Sequence, residues 1–169
     1  MKALIQGIFA LLGGVLPAAA AGPDAMAGMD MGGVHHAHAG SARFDFGAPA
    51  PSAKATRTIK IVMADLTFEP ASVTVSAGET VRFTVTNRSS IDHEFILGDA
   101  RAEQAHRQEM AEMAAHGAAM AHDDPNGIAV KAGRTRSLTW TFGRPEQLEF
   151  DCNIPGHYEA GMKGSIVER

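Results

Sequence analysis

Cysteine is almost missing from this chain: 169 residues contain one, at position 152. A single thiol cannot close an internal disulfide, so any special chemistry at Cys152 must be done alone or with a metal. A cationic surplus is missing as well. Fifteen Lys and Arg stand against 19 Asp and Glu, a formal charge of −4, which argues against nucleic acid or an anionic membrane surface as a partner, because both reward clustered cations. Nor is there a comfortable membrane span. The one apolar run, residues 3–16, is short and broken by Gln6 and glycines.

What is there begins with that run. Lys2, the apolar stretch and the small residues Ala18, Ala19, Ala20 and Ala21 read as a secretory signal over residues 1–21, which places the chain in an oxidising compartment, the periplasm, with no membrane insertion once the signal is removed. From 22 to 54 the composition turns to Ala, Gly, Pro, Met and His without a helical or strand period, the pattern of a disordered tail. It carries Met26, Met29, Met31, His35, His36 and His38. Thioethers and imidazoles could capture copper weakly there; the alternative is a low-complexity spacer.

The folded domain is expected over residues 55–169. Thr58–Met63, Leu66–Pro70, Ser72–Val75 and Glu79–Asn87 alternate apolar and polar residues in short runs with turn signals between them, the rhythm of a β-sandwich or barrel. Further strands are expected at Ile91–Leu97, Ile128–Val130, Thr135–Phe142, Leu148–Phe150 and Gly164–Val167. Between Leu97 and Ile128 the rhythm breaks, and an Ala-, Glu- and Met-rich stretch predicts a helical insert at about residues 100–122.

Near the C-terminus, Cys152, His157 and Met162 stand with four residues between each pair. Thiolate and thioether suit Cu(I), imidazole also accepts Cu(II), and two His with one Cys and a weak axial Met form the blue-copper geometry. The second imidazole is His93: period-two alternation puts Ile91, His93, Phe95 and Leu97 on one strand face, and Leu148, Phe150 and Cys152 on one face of another. Taken singly, each residue has a plainer reading. Cys152 could be a small buried hydrophobe, Met162 a core methionine, His157 a solvated loop residue and His93 a hydrogen-bonded core histidine. All four in this order and on these faces is a far more specific pattern.

With His93, Cys152, the Pro155-Gly156 turn, His157 and Met162 in place, roughly the last two thirds of the chain resembles the cupredoxins, the small blue-copper fold of plastocyanin and azurin. The resemblance implies an all-β, Greek-key β-sandwich, here with a helical insertion between the strand bearing His93 and the next strand. It implies one type 1 copper held by His93, Cys152, His157 and Met162, with His157 the solvent-facing ligand for electrons, and a monomer that meets a redox partner or a copper donor or acceptor protein. Many cupredoxins carry Asn after the first His; this chain has Glu94.

On the insert, His106, Met110, Met113 and Met120 fall at offsets compatible with one helix face. They read either as packing against the sandwich or, as Met110, Met113, His116, Met120 and His122, as a secondary copper site. The functions implied are electron transfer with a role in copper handling, or copper tolerance by sequestration with no carrier role. An enzyme is not expected, since multicopper oxidases and nitrite reductases need further copper centres built from paired His motifs across more than one domain.

Overall fold

Alternating side chains build two five-stranded sheets around one core. In the computed structural model, which describes residues 44–118, 122–144 and 147–169, the strands are β1 (Gly47–Pro49), β2 (Arg57–Ala64), β3 (Thr67–Glu69), β4 (Ser72–Val75), β5 (Thr80–Asn87), β6 (His93–Gly98), β7 (Gly127–Val130), β8 (Thr135–Phe142), β9 (Leu148–Asp151) and β10 (Lys163–Glu168), with one helix, α1 (Ala100–Ala115), between β6 and β7. One sheet runs β1-β8-β5-β2-β3 and the other β4-β10-β9-β6-β7. The pairs β2–β5 and β4–β10 are parallel and the rest antiparallel. The expected sandwich with a helical insertion after the His93 strand is therefore the observed one.

Residues 1–43, 119–121 and 145–146 lie outside this description. With them go the expected signal, most of the tail with Met26, Met29, Met31, His35, His36 and His38, and Met120 on the insert.

The core is where the inward-facing residues of the two sheets meet. Val81, Phe83 and Val85 of β5 face Phe95 and Leu97 of β6 and Phe150 of β9, all fully buried. Phe68, Phe83, Phe95 and Phe150 form a connected aromatic group, with ring centroids 5.2–5.3 Å apart for Phe83–Phe95, Phe95–Phe150 and Phe68–Phe150. Ring pairs at this separation, tilted or edge-on, are favourable beyond their burial.

Two boundaries differ from the sequence expectation. Ordered structure starts before residue 55: β1 pairs with β8, placing Gly47 opposite Phe142, and Phe44 and Phe46 stack on Trp140 with centroids 5.8 and 5.5 Å from it. The Gly, Ala and Pro around them hide a segment whose order comes from tertiary stacking and from pairing with β8. Ile91, expected to share the inward face of β6, is instead exposed. The strand starts at His93 because the loop before it is held by Asn87, whose buried amide donates to the carbonyls of Ile91 and Val130, each at 2.8 Å.

The insert is shorter than expected. Asp99 caps α1, its carboxylate accepting from the Arg101 and Ala102 amides at 3.0 and 2.8 Å. The helix stops at Ala115, since Gly117 adopts φ +65° and a left-handed residue ends the α-helical ladder. The return is tied to the strand it left: Asn126 donates from its side chain to the Leu97 carbonyl at 2.7 Å, and the Leu97 amide donates back to the Asn126 carbonyl at 2.9 Å.

The helix packs against β6, and all six residues of that strand are buried. His93, Phe95 and Leu97 face the sandwich interior. Glu94 and Ile96 leave the other face, which would meet water but for α1. That helix buries Glu103, His106 and Met110, so carboxylates and an imidazole line a layer outside the apolar core.

Candidate metal centre

The backbone brings residues 59 positions apart to one point. His93 opens β6, and Cys152 follows directly on β9; antiparallel pairing of those strands sets Ile96 opposite Asp151. His93 and Cys152 both point inward, as alternation requires, and both are fully buried. The loop from Cys152 to Met162 then folds back on itself. The Met162 amide donates to the His157 carbonyl at 3.0 Å and the Cys152 amide to the Met162 carbonyl at 3.2 Å. Gly156 and Gly161, at φ +89° and +98°, make the two sharp turns that β-carbon-bearing residues resist.

The result is a triangle of ligand atoms. Cys152 Sγ lies 3.2 Å from His157 Nδ1 and 3.9 Å from His93 Nδ1, and the two Nδ1 atoms are 3.2 Å apart. With metal–nitrogen and metal–sulfur bonds of about 2.0–2.3 Å, a trigonal ion needs ligand atoms about 3.5–3.8 Å apart. The three observed edges bracket that span, so the residues fit a metal ion. Met162 is fully buried in the same core, on the residue whose carbonyl accepts from Cys152. Phe95 is buried, and Ile154 is half-buried against the core, giving the site an apolar surround. His157 is half-buried, and Pro155 and Gly156 beside it are exposed.

Electrostatics favour neutral imidazoles here. Burial, reinforced by the facing His157, holds His93 below the ordinary histidine range, and burial does the same to His157. Burial also pushes the metal-free Cys152 thiol up to about 12, although the amides of Glu94 and Ile154 act the other way. The Glu94 amide lies 3.3 Å from the sulfur. Next to Cys152, burial and the facing Glu103 carboxyl push Asp151 up to about 10. Glu103 is itself raised by burial, and Asn153 donates to both carboxyls, at 2.9 Å to Asp151 and 2.8 Å to Glu103.

Of the residues named for a secondary copper site, Met120 lies outside the described residues. Met110 is fully buried beneath α1, Met113 is half-buried, and His116 is exposed with its Nδ1 2.8 Å from the Glu112 carbonyl oxygen. His122 enters a cluster of imidazole and carboxylate groups, where its companions are Glu94 and His106. Residue choice missed Glu94 because alternation assigns it to the solvent side of β6. The available signal was positional: a helix inserted right after that strand has the strand's outer face to cover.

Residues 55–168 match the family of copper binding proteins that comprises plastocyanin and azurin. A relative in Rubrivivax gelatinosus, the copper-resistant cuproprotein CopI, is 45% identical over 148 residues, covering 86% of this chain and 87% of that protein. The protein of the same name in Pseudomonas aeruginosa is 42% identical over 147 residues, covering 72% and 81%. Among solved structures, auracyanin B superposes with a TM-score of 0.58 at 25% identity, covering 73% of this chain and 96% of its own.

Proposed function

This chain belongs to the plastocyanin/azurin family of copper-binding proteins, and we propose that it is an exported type 1 copper protein that passes single electrons and serves copper handling. The observation that carries this reading is the triangle of His93 Nδ1, Cys152 Sγ and His157 Nδ1, with edges of 3.2, 3.2 and 3.9 Å. It is built from two elements braced by their own hydrogen bonds, the strand behind Asn87 and the loop closed by Cys152, His157 and Met162. His93, Cys152 and His157 would hold the copper, and Met162 would lend a weak axial sulfur that tunes the potential.

Bound copper supplies a one-electron couple. The chain supplies the rest. Cys152 must release its proton to bind, and the Glu94 and Ile154 amides favour the thiolate it becomes. Strand β6 and the hydrogen-bonded loop keep the donor atoms in place whichever charge the site carries, and Phe95 and Ile154 keep water away. His157, the half-exposed member, is the point at which a redox partner or a copper donor or acceptor would dock. The periplasm is the compartment this reading requires.

A copper-tolerance role is favoured by a separate observation: relatives that align over most of their own length are copper-resistant cuproproteins. Sequestration without electron transfer is the narrower form of that role. The test is direct. The metal-free protein, given one equivalent of Cu(II), should develop an intense thiolate-to-copper absorption band, Cys152→Ala should abolish it, and a host lacking the gene should regain copper tolerance with the natural protein but not with that variant. A colourless complex would refute the site. Colour without any effect on host tolerance would leave electron transfer as the function and refute the copper-handling role.

A further inference from the structure

On the far side of β6 from the copper triangle lies a second group of donors. Because Glu94 follows His93 on a strand, its side chain leaves the opposite face, where α1 and the return loop close over it. Glu94, His106 and His122 each offer one ligand atom, all within 4.8 Å of one another. Glu94 Oε2 is 3.6 Å from His106 Nε2, and Glu94 Oε1 is 4.0 Å from His122 Nδ1. The two rings are 5.4 Å apart. Behind them, Asp124 Oδ2 lies 3.2 Å from the other nitrogen of His122 and 3.5 Å from the other nitrogen of His106.

These atoms are near one another without being hydrogen-bonded. Both Glu94 oxygens, His106 Nε2, both His122 nitrogens and Asp124 Oδ2 are buried and have no hydrogen-bond partner. Glu94 is wholly buried and His106 is 8% exposed. A buried carboxylate left this way costs several kcal/mol, whereas a tetrahedral ion with bonds near 2.1 Å needs donor atoms about 3.4 Å apart, a spacing that the 3.6 Å and 4.0 Å separations approach. Asp124 takes the place of the outer carboxylate that orients metal-binding imidazoles through their second nitrogen.

We propose that Glu94, His106 and His122 form a second cation site, oriented by Asp124, for a divalent ion of the Cu(II) or Zn(II) class. Two imidazoles and a carboxylate with no sulfur suit those ions and disfavour Cu(I), so this site differs in kind from the one at Cys152. It goes beyond the function proposed above and does not depend on it: the second ion should bind whether or not the first site carries electrons.

The experiment uses the full chain with His35, His36 and His38 replaced by Ala, which removes the imidazoles of the tail. Copper bound after desalting is counted, and the Cu(II) electron paramagnetic resonance spectrum is recorded, for this parent, for His106→Ala/His122→Ala and for Cys152→Ala. The double variant should hold one fewer Cu(II) and lose a signal of ordinary, large hyperfine splitting while keeping the thiolate-to-copper band. Cys152→Ala should do the reverse. Asp124→Asn should weaken the second ion about 10–100-fold. Zn(II) displacing that Cu(II) signal would assign the site to zinc and still support it. Unchanged stoichiometry and spectrum in the double variant would overturn the proposal. If the double variant does not fold, His122→Ala alone decides by the same criteria, because His122 sits on the loop outside the strands and the helix and is only half-buried.

Discussion

Replacing Phe46 with Ala tests whether the domain begins where the structure places it. Phe46 is 3% exposed, stacks on Trp140 with a centroid separation of 5.5 Å and on Phe44 at 4.9 Å. Its carbonyl accepts the Gly143 amide at 2.9 Å and receives the Trp140 indole N–H at 3.4 Å. Emptying a site of this kind costs about 3–5 kcal/mol when its surroundings stay put. They need not stay put here, because β1 has only three residue pairs with β8 and can detach, which limits the loss to the docking energy of the segment; about 2–3 kcal/mol is expected. For a domain of about 125 residues the unfolding entropy converts 1 kcal/mol into about 4 °C, so the melting temperature should fall by about 8–12 °C. Urea denaturation gives the free energy, and hydrogen exchange at the Gly143 amide reports the detachment itself. The thiolate-to-copper band should survive, since β1 pairs with neither β6 nor β9. A loss below about 0.5 kcal/mol, with Gly143 exchanging freely in the natural protein, would show that residues 44–50 do not belong to the folded domain.

Asn87→Ala should cost about 3 kcal/mol, because the Ile91 carbonyl and the buried Val130 carbonyl lose their donor and the Ser89 amide and hydroxyl lose their acceptor; a loss below 1 kcal/mol by urea denaturation would mean that the loop before His93 does not need this brace. Glu79 gives a pH signature. Burial opposes its ionisation, but the Ser76 amide and the Arg57 and Arg169 guanidiniums win and hold it below the usual carboxylate range. A depressed carboxylate contributes above its unfolded pKa and stops contributing as pH falls through the folded one, so Glu79→Gln should cost about 1 kcal/mol at pH 7 and almost nothing near pH 3. Equal losses at both pH values would show that packing, rather than charge, is what Glu79 supplies.

Most of the sandwich could be read in the sequence because a strand half-buried in a core writes its geometry into a two-residue period. Val81, Phe83 and Val85 show it, and the same alternation predicted that His93 and Cys152 both face inward, as they do. The ligand loop was legible because spacing alone places Cys152, His157 and Met162 close together once Pro155-Gly156 turns the chain. Phe44 and Phe46 were not legible: they sit among Gly, Ala and Pro with no period, and it is Trp140 and Gly143, nearly a hundred residues away, that order them. Ile91 continued the apolar alternation and still lies outside the strand, since a side-chain hydrogen bond from Asn87 fixes the loop that contains it. The insert was legible in part. The stripe of His106, Met110 and Met113 does hold two of the three residues that α1 buries, and the third, Glu103, is polar and invisible to a search for apolar spacing.

That polar face bears on what the insertion is for. A helix that merely covered the outer side of the β4-β10-β9-β6-β7 sheet would do so at least cost with aliphatic residues, since burying carboxyl groups is expensive unless each is paired, protonated or bound to a metal. Here α1 buries Glu94, Glu103 and Asp151 instead. Asp151 and Glu103, each raised by burial, share the amide of Asn153 that both accept from, and Arg107 lies 3.6 Å from Asp151. Glu94 has no amide donor of that kind, only the two imidazoles it faces. The expensive choices also fall next to the copper triangle, Glu94 beside His93 and Asp151 beside Cys152. Departures from cheap packing tend to mark sites, so the helix is better understood as a wall of a second binding chamber, placed one residue along the strand from the first, than as a lid on an otherwise complete sandwich.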